Sequence, residues 1–275
     1  MRPCGRAGAG GGARVAERVR IVIALDSASR VAPVIETGAA LGAGLHAMLD
    51  ALFVEDEQLL RLAALPFAHE LGFPSARLRR IGAEDVERAL RGQIDQMRRQ
   101  LAAAAEALEL PWQFNVLRGD VLRTAFGYAS VADILVLGRS VAAAMPAAGQ
   151  SAQAGFPSLR RRAILALFDG NPAGAKALAA AQALARVATG ELVVLIPASG
   201  PEPFRRLREQ AAAIAAPGAP VPSQYVSIPD LAAGTIARTA RAQRAAVLVW
   251  PGDGRDPGVL AGIVDGVPCP VVVVG

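Results

Sequence analysis

The chain contains little of what metal, redox or disulfide sites are built from. Only two cysteines and two histidines occur in 275 residues, and Cys4 and Cys269 stand at opposite ends of the chain. Neither residue type recurs at the short spacings of a zinc site, and two distant cysteines make no disulfide framework. We therefore expect no metal centre and no disulfide, with the cytoplasm as the default location.

Long apolar runs are missing as well. A helix that spans a bilayer needs about 18 consecutive apolar residues, and the sequence has no such run. The longest uncharged stretch, residues 140–159, contains prolines, glycines and glutamines, which indicates a linker. Residues 1–18 are rich in glycine and lack the apolar core of a signal peptide, so we expect a disordered leader and no membrane contact.

Lysine is nearly absent, since Lys176 is the only lysine among 29 basic residues in a chain of net charge +5. Arginine recognises phosphate as a planar fork, so the arginine content by itself is compatible with a nucleic-acid surface. The arginines do not form one block, however, and recur beside acids, as in residues 84–99. That pattern predicts solvated helix faces, and we expect no nucleic-acid partner.

What the sequence does contain is an internal repeat at a constant offset. Residues 21–26 and 164–169 are both short apolar strands that end in aspartate, followed by a turn of small residues. An alanine-rich helix then leads to a second apolar strand, residues 49–54 or 192–196, at the same distance along the chain. The shared order and spacing predict two related halves.

A further pair of apolar strands, residues 134–138 and 247–251, follows helical segments in the two halves. Short strands that are apolar throughout and alternate with helices are typical of a parallel sheet buried on both faces. The predicted fold class is therefore α/β, with two tandem domains on parallel sheets that meet about a pseudo-twofold axis. Domain one is expected over 19–139, the linker over 140–160 and domain two over 161–275.

Five segments resemble the universal stress protein family in their order and spacing: residues 24–27, 52–56, 118–120, 133–139 and 267–272. The resemblance covers residues 20–275 and is weakest at 57–80 and 140–160. It implies two tandem Rossmann-like domains, each with a five-stranded sheet of the adenine nucleotide alpha hydrolase-like type, dimer-like pairing of the domains and, in some members, binding of ATP or AMP.

The resemblance also implies a cofactor-binding half-site for ATP or AMP in domain one. Asp26 and Ser27 match the end of the first strand, which meets the nucleoside, and Val54 matches the residue whose backbone faces adenine. Leu137 and Gly138 match the start of the phosphate loop. Aspartate at a strand-to-helix turn also serves as a cap or Asx turn, and the residues alone leave both interpretations of Asp26 open.

The glycine-rich phosphate loop of nucleotide-binding members is not kept in either half. In domain one Val141 stands where the second glycine belongs, and in domain two the segment 252–258 is too short and carries two aspartates. Pro197, the counterpart of Val54, has no amide donor. We therefore expect weak nucleotide binding, and in domain one if in either.

The leading functional hypothesis is a non-catalytic stress-response protein that acts by conformation or by binding a protein partner or itself. A ligand-free interaction module and, less favoured, a weak adenine-nucleotide hydrolase are the alternatives. The acidic run 55–57 is interpreted as a solvated loop rather than a metal site.

Domain one lacks its last strand, because the linker follows Gly138 directly whereas domain two closes with four valines, residues 271–274. A bare sheet edge promotes aggregation, and a strand that is apolar on both faces must be buried. In the resembling family the last strand often pairs across the domain interface. We therefore expect residues 271–274 to cover the open edge of domain one, and the linker to run over the surface.

The first half also differs from the second in its middle. It contains an insertion at 57–80 and, after it, a long amphipathic helix that ends before Pro111.

Overall fold

A computed structural model describes residues 19–27, 29, 31–63, 65, 69–72, 77–80, 82–128, 132–138, 156–214, 222, 224–252 and 257–275. The expected leader, most of the linker with Val141, and the loop 253–256 lie outside the described residues.

The first half contains β1 (Arg20–Leu25), α1 (Val31–Leu45), β2 (Met48–Asp56), α2 (Glu57–Ala63), β3 (His69–Gly72), β4 (Arg77–Arg80), α3 (Ala83–Glu106), β5 (Trp112–Gly119), α4 (Val121–Tyr128) and β6 (Ile134–Leu137). The second half contains β7 (Ala163–Leu167), α5 (Pro172–Ala188), β8 (Glu191–Pro197), α6 (Pro201–Ala213), β9 (Gln224–Ile228), α7 (Ala233–Ala242), β10 (Ala245–Pro251), α8 (Pro257–Gly266) and β11 (Val271–Val274).

Nine strands form one sheet in the order β5-β2-β1-β6-β11-β10-β7-β8-β9. The order β5-β2-β1-β6 in the first half is repeated as β9-β8-β7-β10 in the second. Neighbouring strands are parallel everywhere except between β6 and β11. The α/β class with a mostly parallel, Rossmann-like sheet is confirmed. The separate hairpin β3-β4 was not predicted.

The strand β11 joins the two halves. It lies parallel to β10 on one side and antiparallel to β6 on the other, with Val271 opposite Leu137 and Val274 opposite Ile134. The expectation that this strand covers the open edge of the first half is confirmed. The expectation of two separate sheets is wrong, because hydrogen bonding on both sides of β11 makes the sheet continuous.

Each face of the sheet carries its own layer of helices. The helices α1, α3, α5 and α6 contribute to the core on one face, and α4, α7 and α8 to the core on the other. Across the two halves α1 meets α5 through small residues. A β-carbon added at Gly44 would lie 3.1 Å from the carbonyl oxygen of Ala183, so the alanine and glycine content of these helices permits a close helix contact.

The long helix expected after the insertion is α3. Its apolar stripe is buried at Val86, Leu90, Met97 and Leu101, which is the spacing of one helix face. The Oδ2 atom of Asp85 accepts a hydrogen bond of 3.4 Å from the backbone N–H of Gly82 at the start of the helix. No helix within the described ranges is long and apolar enough to cross a membrane.

The end of the linker packs into the protein instead of running over its surface. Leu159 is fully buried, and the backbone N–H of Ser158 donates to Oε2 of Glu36 on α1 at 3.0 Å. The surface expectation is therefore wrong for Ser158 and Leu159, since they pack into the protein just before β7 begins.

Candidate functional site

A cleft of about 220 Å³ lies at the carboxyl ends of β1 and β6. Ligands of open α/β sheets bind at this edge of the strands. Asp26 and Ser27 contribute one wall and Leu137 and Gly138 another. The structure thus brings together four of the five residues singled out in the sequence.

The fifth residue, Val54, does not line the cleft described here. It is fully buried near the end of β2, where its register partner is Leu117 of β5. A contact between the backbone of Val54 and an adenine ring stays a prediction.

Asp26 is held in a tight turn. Its Oδ1 atom accepts a hydrogen bond of 2.6 Å from the Ser29 hydroxyl, and its own backbone N–H donates to Ser29 Oγ at 3.1 Å. The Ser29 backbone N–H donates in turn to the carbonyl oxygen of Asp26 at 3.3 Å. Turn chemistry is therefore present at Asp26, and it fixes the 5 % exposed carboxylate at the cleft wall.

Gly138 is needed where β6 meets α1. A β-carbon at this position would lie 2.8 Å from Cγ2 of Val34 and 3.2 Å from Oγ of Ser29. The end of β6 can approach the Asp26 turn closely only because this side chain is missing, so the two walls depend on one glycine.

The second half supplies part of the cleft. Val264 and Asp265, at the end of α8, line it together with the first-half residues. The helix α8 leads into β11, and β11 pairs with β6, whose last residue Leu137 is itself on the cleft wall. Sequence comparison of the halves did not predict this wall, because α8 reaches the cleft only through the antiparallel pairing of β11.

The cleft is acidic. Asp26, Asp56, Asp120 and Asp265 line it, and no basic side chain does so among the residues that the structure describes. Carboxylates repel phosphate, while their oxygens accept hydrogen bonds from hydroxyl and amino groups. The described walls therefore suit the uncharged part of a ligand better than a phosphate chain.

Local contacts fix the acidic groups around β2. The Glu55 carboxylate pairs with Arg118 at 3.0 Å, and Glu57 pairs with Arg61 at 2.7 Å. Oδ1 of Asp56 accepts a hydrogen bond of 2.8 Å from the backbone N–H of Gln58. Within the described ranges no three His, Cys, Asp or Glu side chains are placed to hold a metal ion.

The corresponding turn of the second half is closed off. Oδ1 of Asp169 accepts from the Asn171 backbone N–H at 3.1 Å, and Oδ2 from the Asn171 side chain at 3.2 Å. A β-carbon at Gly170, whose φ is +85°, would lie 2.8 Å from Cδ2 of Leu207 on α6. Because α6 packs against this turn, Asp169 serves as a turn residue here.

A buried polar network was missed in the sequence. Asp50 of β2 is fully buried and accepts hydrogen bonds from Arg20 Nε (3.0 Å), Asn115 Nδ2 (3.0 Å) and the Tyr128 hydroxyl (3.1 Å), and it also pairs with Arg20 Nη2. The hydrogen bond to Asp50 raises the pKa of Arg20, and burial raises the pKa of Tyr128. The network joins β1, β2, β5 and α4, so it supports the first half without lining the cleft. Its one sequence signal is a lone carboxylate within an otherwise apolar strand.

The comparisons with known proteins concern the fold. No protein-family model matches the sequence, and no curated protein matches it either. Among solved structures, a universal stress protein from Archaeoglobus fulgidus DSM 4304 is similar with a TM-score of 0.56 at 11 % identity, over 93 % of this chain and 95 % of that chain.

Two further likenesses have lower TM-scores. UspA from Lactobacillus plantarum has a TM-score of 0.29 at 22 % identity, over 42 % of this chain and 99 % of that chain. A universal stress protein in complex with cAMP has a TM-score of 0.34 at 19 % identity, over 42 % and 96 %. Of these three structures, the one from Archaeoglobus fulgidus is similar over the whole fold, and it shows that this chain has the α/β fold of universal stress proteins.

Proposed function

We propose that this protein is a non-catalytic stress-response protein that acts by conformation and by binding a protein partner or a second copy of itself. The observation that carries the proposal is that both halves build one cleft. A ligand there contacts β1, β6 and α8 together, and α8 leads into the strand that joins the halves. Occupancy of the cleft is thereby linked to the arrangement of α8, which a partner can recognise.

The ligand we propose is the nucleoside part of ATP or AMP, bound weakly. The Asp26 carboxylate and the Ser27 side chain offer hydrogen-bonding groups to a sugar. The described cleft, about 220 Å³, is smaller than the roughly 300–1,000 Å³ of most small-molecule sites. Its carboxylates repel phosphate, so the nucleoside contributes most of the affinity.

The proposal includes a cytoplasmic location and a division of the chain into two domains, 19–139 and 161–275.

A ligand-free interaction module is the second candidate. The observation that favours it is that the Asp26 carboxylate already accepts a hydrogen bond from Ser29. A weak hydrolase is less well supported, because phosphoryl transfer needs positive charge on the phosphates and the described walls of the cleft carry none.

Calorimetric titration of the full chain with adenosine, AMP and ATP tests ligand binding. Asp26→Asn is expected to weaken adenosine binding about tenfold, the worth of one hydrogen bond to a charged group. Asp169→Asn is the matched control, because it changes the equivalent turn of the second half, and it should leave the affinity unaltered. Loss of binding in Asp169→Asn alone would place the site in the second half and contradict the proposal.

The charge of the cleft gives a second, opposite expectation. Asp265→Asn removes one carboxylate from the wall supplied by α8, so it should tighten ATP more than adenosine. Wild-type protein that binds ATP much more tightly than adenosine would contradict the inferred repulsion of phosphate.

Hydrogen exchange tests the link to conformation. Adenosine or AMP should increase the protection of peptides from α8 and β11, whereas α3, which does not line the cleft, should be unaffected. Binding without a change in α8 would contradict the conformational role. If neither adenosine, AMP nor ATP binds, the ligand-free interaction module becomes the favoured function. If the protein releases phosphate from ATP and Asp26→Asn abolishes that release, the hydrolase becomes the favoured function.

A further inference from the structure

A second cavity, of about 530 Å³, lies at the amino ends of β7, β8 and β10. Its described wall contains four arginines, Arg161, Arg162, Arg241 and Arg244, and one acid, Glu191. We call it the arginine cavity. Its volume falls within the roughly 300–1,000 Å³ of small-molecule sites.

Two of the arginines are fixed on backbone carbonyls. Nη2 of Arg162 donates to the carbonyl oxygen of Ala245 at 3.3 Å, and Nη2 of Arg241 donates to that of Gly266 at 2.9 Å. A guanidinium has five N–H donors, so such a bond orients the group and leaves other donors for a ligand. Part of the cavity wall is thus arranged before any ligand binds.

The other two arginines, Arg161 and Arg244, are exposed to solvent. Within the part of the chain that the structure describes, neither the Arg161 nor the Arg244 guanidinium has a hydrogen bond or an ion pair with a carboxylate. Both residues are exposed and left-handed, with φ of 53° and 50°. Glycine avoids the steric cost of that conformation, so the backbone alone gives no reason for arginine at either position.

Four guanidiniums and one carboxylate give the cavity lining a net positive charge, which a bound anion would neutralise. Arginine matches phosphate oxygens with paired, parallel N–H donors, and it holds its charge at any ordinary pH. We propose that the arginine cavity binds a small anion that carries two or more phosphate groups.

The position of the cavity connects it to the acidic cleft. Because β11 is antiparallel to β6, the amino ends of the second-half strands lie at the same sheet edge as the carboxyl ends of the first-half strands. The short turn between α8 and β11 separates the two sites: Asp265 lines the cleft, Pro268 lines the arginine cavity, and Arg241 holds Gly266 between them. An anion on Arg241 therefore acts on the turn that a ligand in the cleft also touches. Anion binding itself does not depend on the proposed nucleoside site.

Titration of the full chain with tripolyphosphate, pyrophosphate and inorganic phosphate tests the inference. We expect tripolyphosphate to bind most tightly and inorganic phosphate least, with affinity falling as ionic strength rises. Arg161→Gln/Arg244→Gln should weaken tripolyphosphate binding by about tenfold or more, because hydrogen bonds to charged groups are removed.

Two controls separate this site from general attraction and from misfolding. Arg186→Gln/Arg206→Gln removes the same charge from α5 and α6, which pack on the opposite face of the sheet from α7, and should leave the affinity nearly unchanged. Arg244→Gly relieves the left-handed backbone, so it should weaken binding without lowering the melting temperature.

Three results would overturn the proposal. They are no tripolyphosphate binding at low ionic strength, equal weakening in the control pair, and a single-stranded DNA oligonucleotide that binds through Arg161 and Arg244 more tightly than tripolyphosphate.

Discussion

Removal of the last strand should divide the sheet of this protein. Deletion of residues 270–275 takes away β11, whose four valines are between 0 % and 9 % exposed. Burial of a valine side chain is worth roughly 1.5–3 kcal/mol, so the four together contribute roughly 6–12 kcal/mol. A typical domain has only about 5–15 kcal/mol of stability in total. The deletion therefore removes an amount comparable to the whole stability of an ordinary domain.

The loss has a second component, because β6 and β10 become open edges. In the full chain the Leu248 N–H donates to the carbonyl oxygen of Pro270 at 3.0 Å, and the Gly252 N–H donates to that of Val274 at 2.7 Å. The deletion removes both acceptors. Bare edges in the middle of a sheet are templates for pairing with other chains. We expect the truncated protein to aggregate in size-exclusion chromatography or to melt far below the full chain by circular dichroism.

A point substitution keeps the chain length and gives a matched control. Val272→Asp places a carboxylate at a fully buried position of β11, whereas Val259→Asp changes a 39 % exposed valine on α8. The first should be severely destabilising and the second close to neutral.

A truncated protein that stays soluble and melts within about two degrees of the full chain would refute the role given to β11, given that 1 kcal/mol shifts the melting temperature by roughly 2–4 °C at this size.

Three other substitutions test separate parts of the structure. Asp50→Ala leaves buried donors without their acceptor, so it should cost about 3 kcal/mol in urea unfolding; a loss under about 1 kcal/mol would contradict the network. Gly138→Ala should cost about 1–3 kcal/mol through overpacking, whereas Gly92→Ala, which meets nothing within 4 Å on α3, should stabilise; equal effects would contradict the close approach at Gly138. Burial raises the pKa of Cys269 to about 12, so the folded protein holds this proton more tightly than the unfolded chain. That stabilisation is complete below the ordinary thiol pKa and is lost as pH rises towards 12; Cys269→Ala should lose less stability between neutral and alkaline pH, and an unchanged loss would refute the linkage.

Local patterns predicted the central strands, and the family resemblance predicted the residues of the candidate site. The strands β1, β2, β6 and their second-half counterparts are mainly apolar on both faces, with Asp50 of β2 as an exception, and that composition marks a buried parallel strand without knowledge of its neighbours. The resemblance to universal stress proteins grouped Asp26, Ser27, Leu137 and Gly138, and the structure brings all four to one cleft at the carboxyl ends of β1 and β6. Val54 was assigned by the same resemblance, but the structure places it in the interior of the sheet next to β5.

The outer strands were not predicted, for a physical reason. β5 and β9 form the two ends of the nine-stranded sheet, so their residues are mostly exposed or half-buried and are often polar or charged. An edge strand needs no continuous apolar run, and periodicity therefore does not separate it from a loop. The hairpin β3-β4 in the insertion lies outside the main sheet, and no pattern along its residues predicted it.

The sequence by itself determined the class, the repeat and the need to bury the last four valines, because these depend on composition and spacing along the chain. Only the tertiary structure decided that β11 pairs antiparallel with β6, which makes one sheet of two halves. That pairing also brings α8 to the cleft of the first half and sets the arginine cavity at the same sheet edge. Residues far apart in the chain share these sites because of the direction of one strand, and strand direction depends on partners that no local pattern specifies.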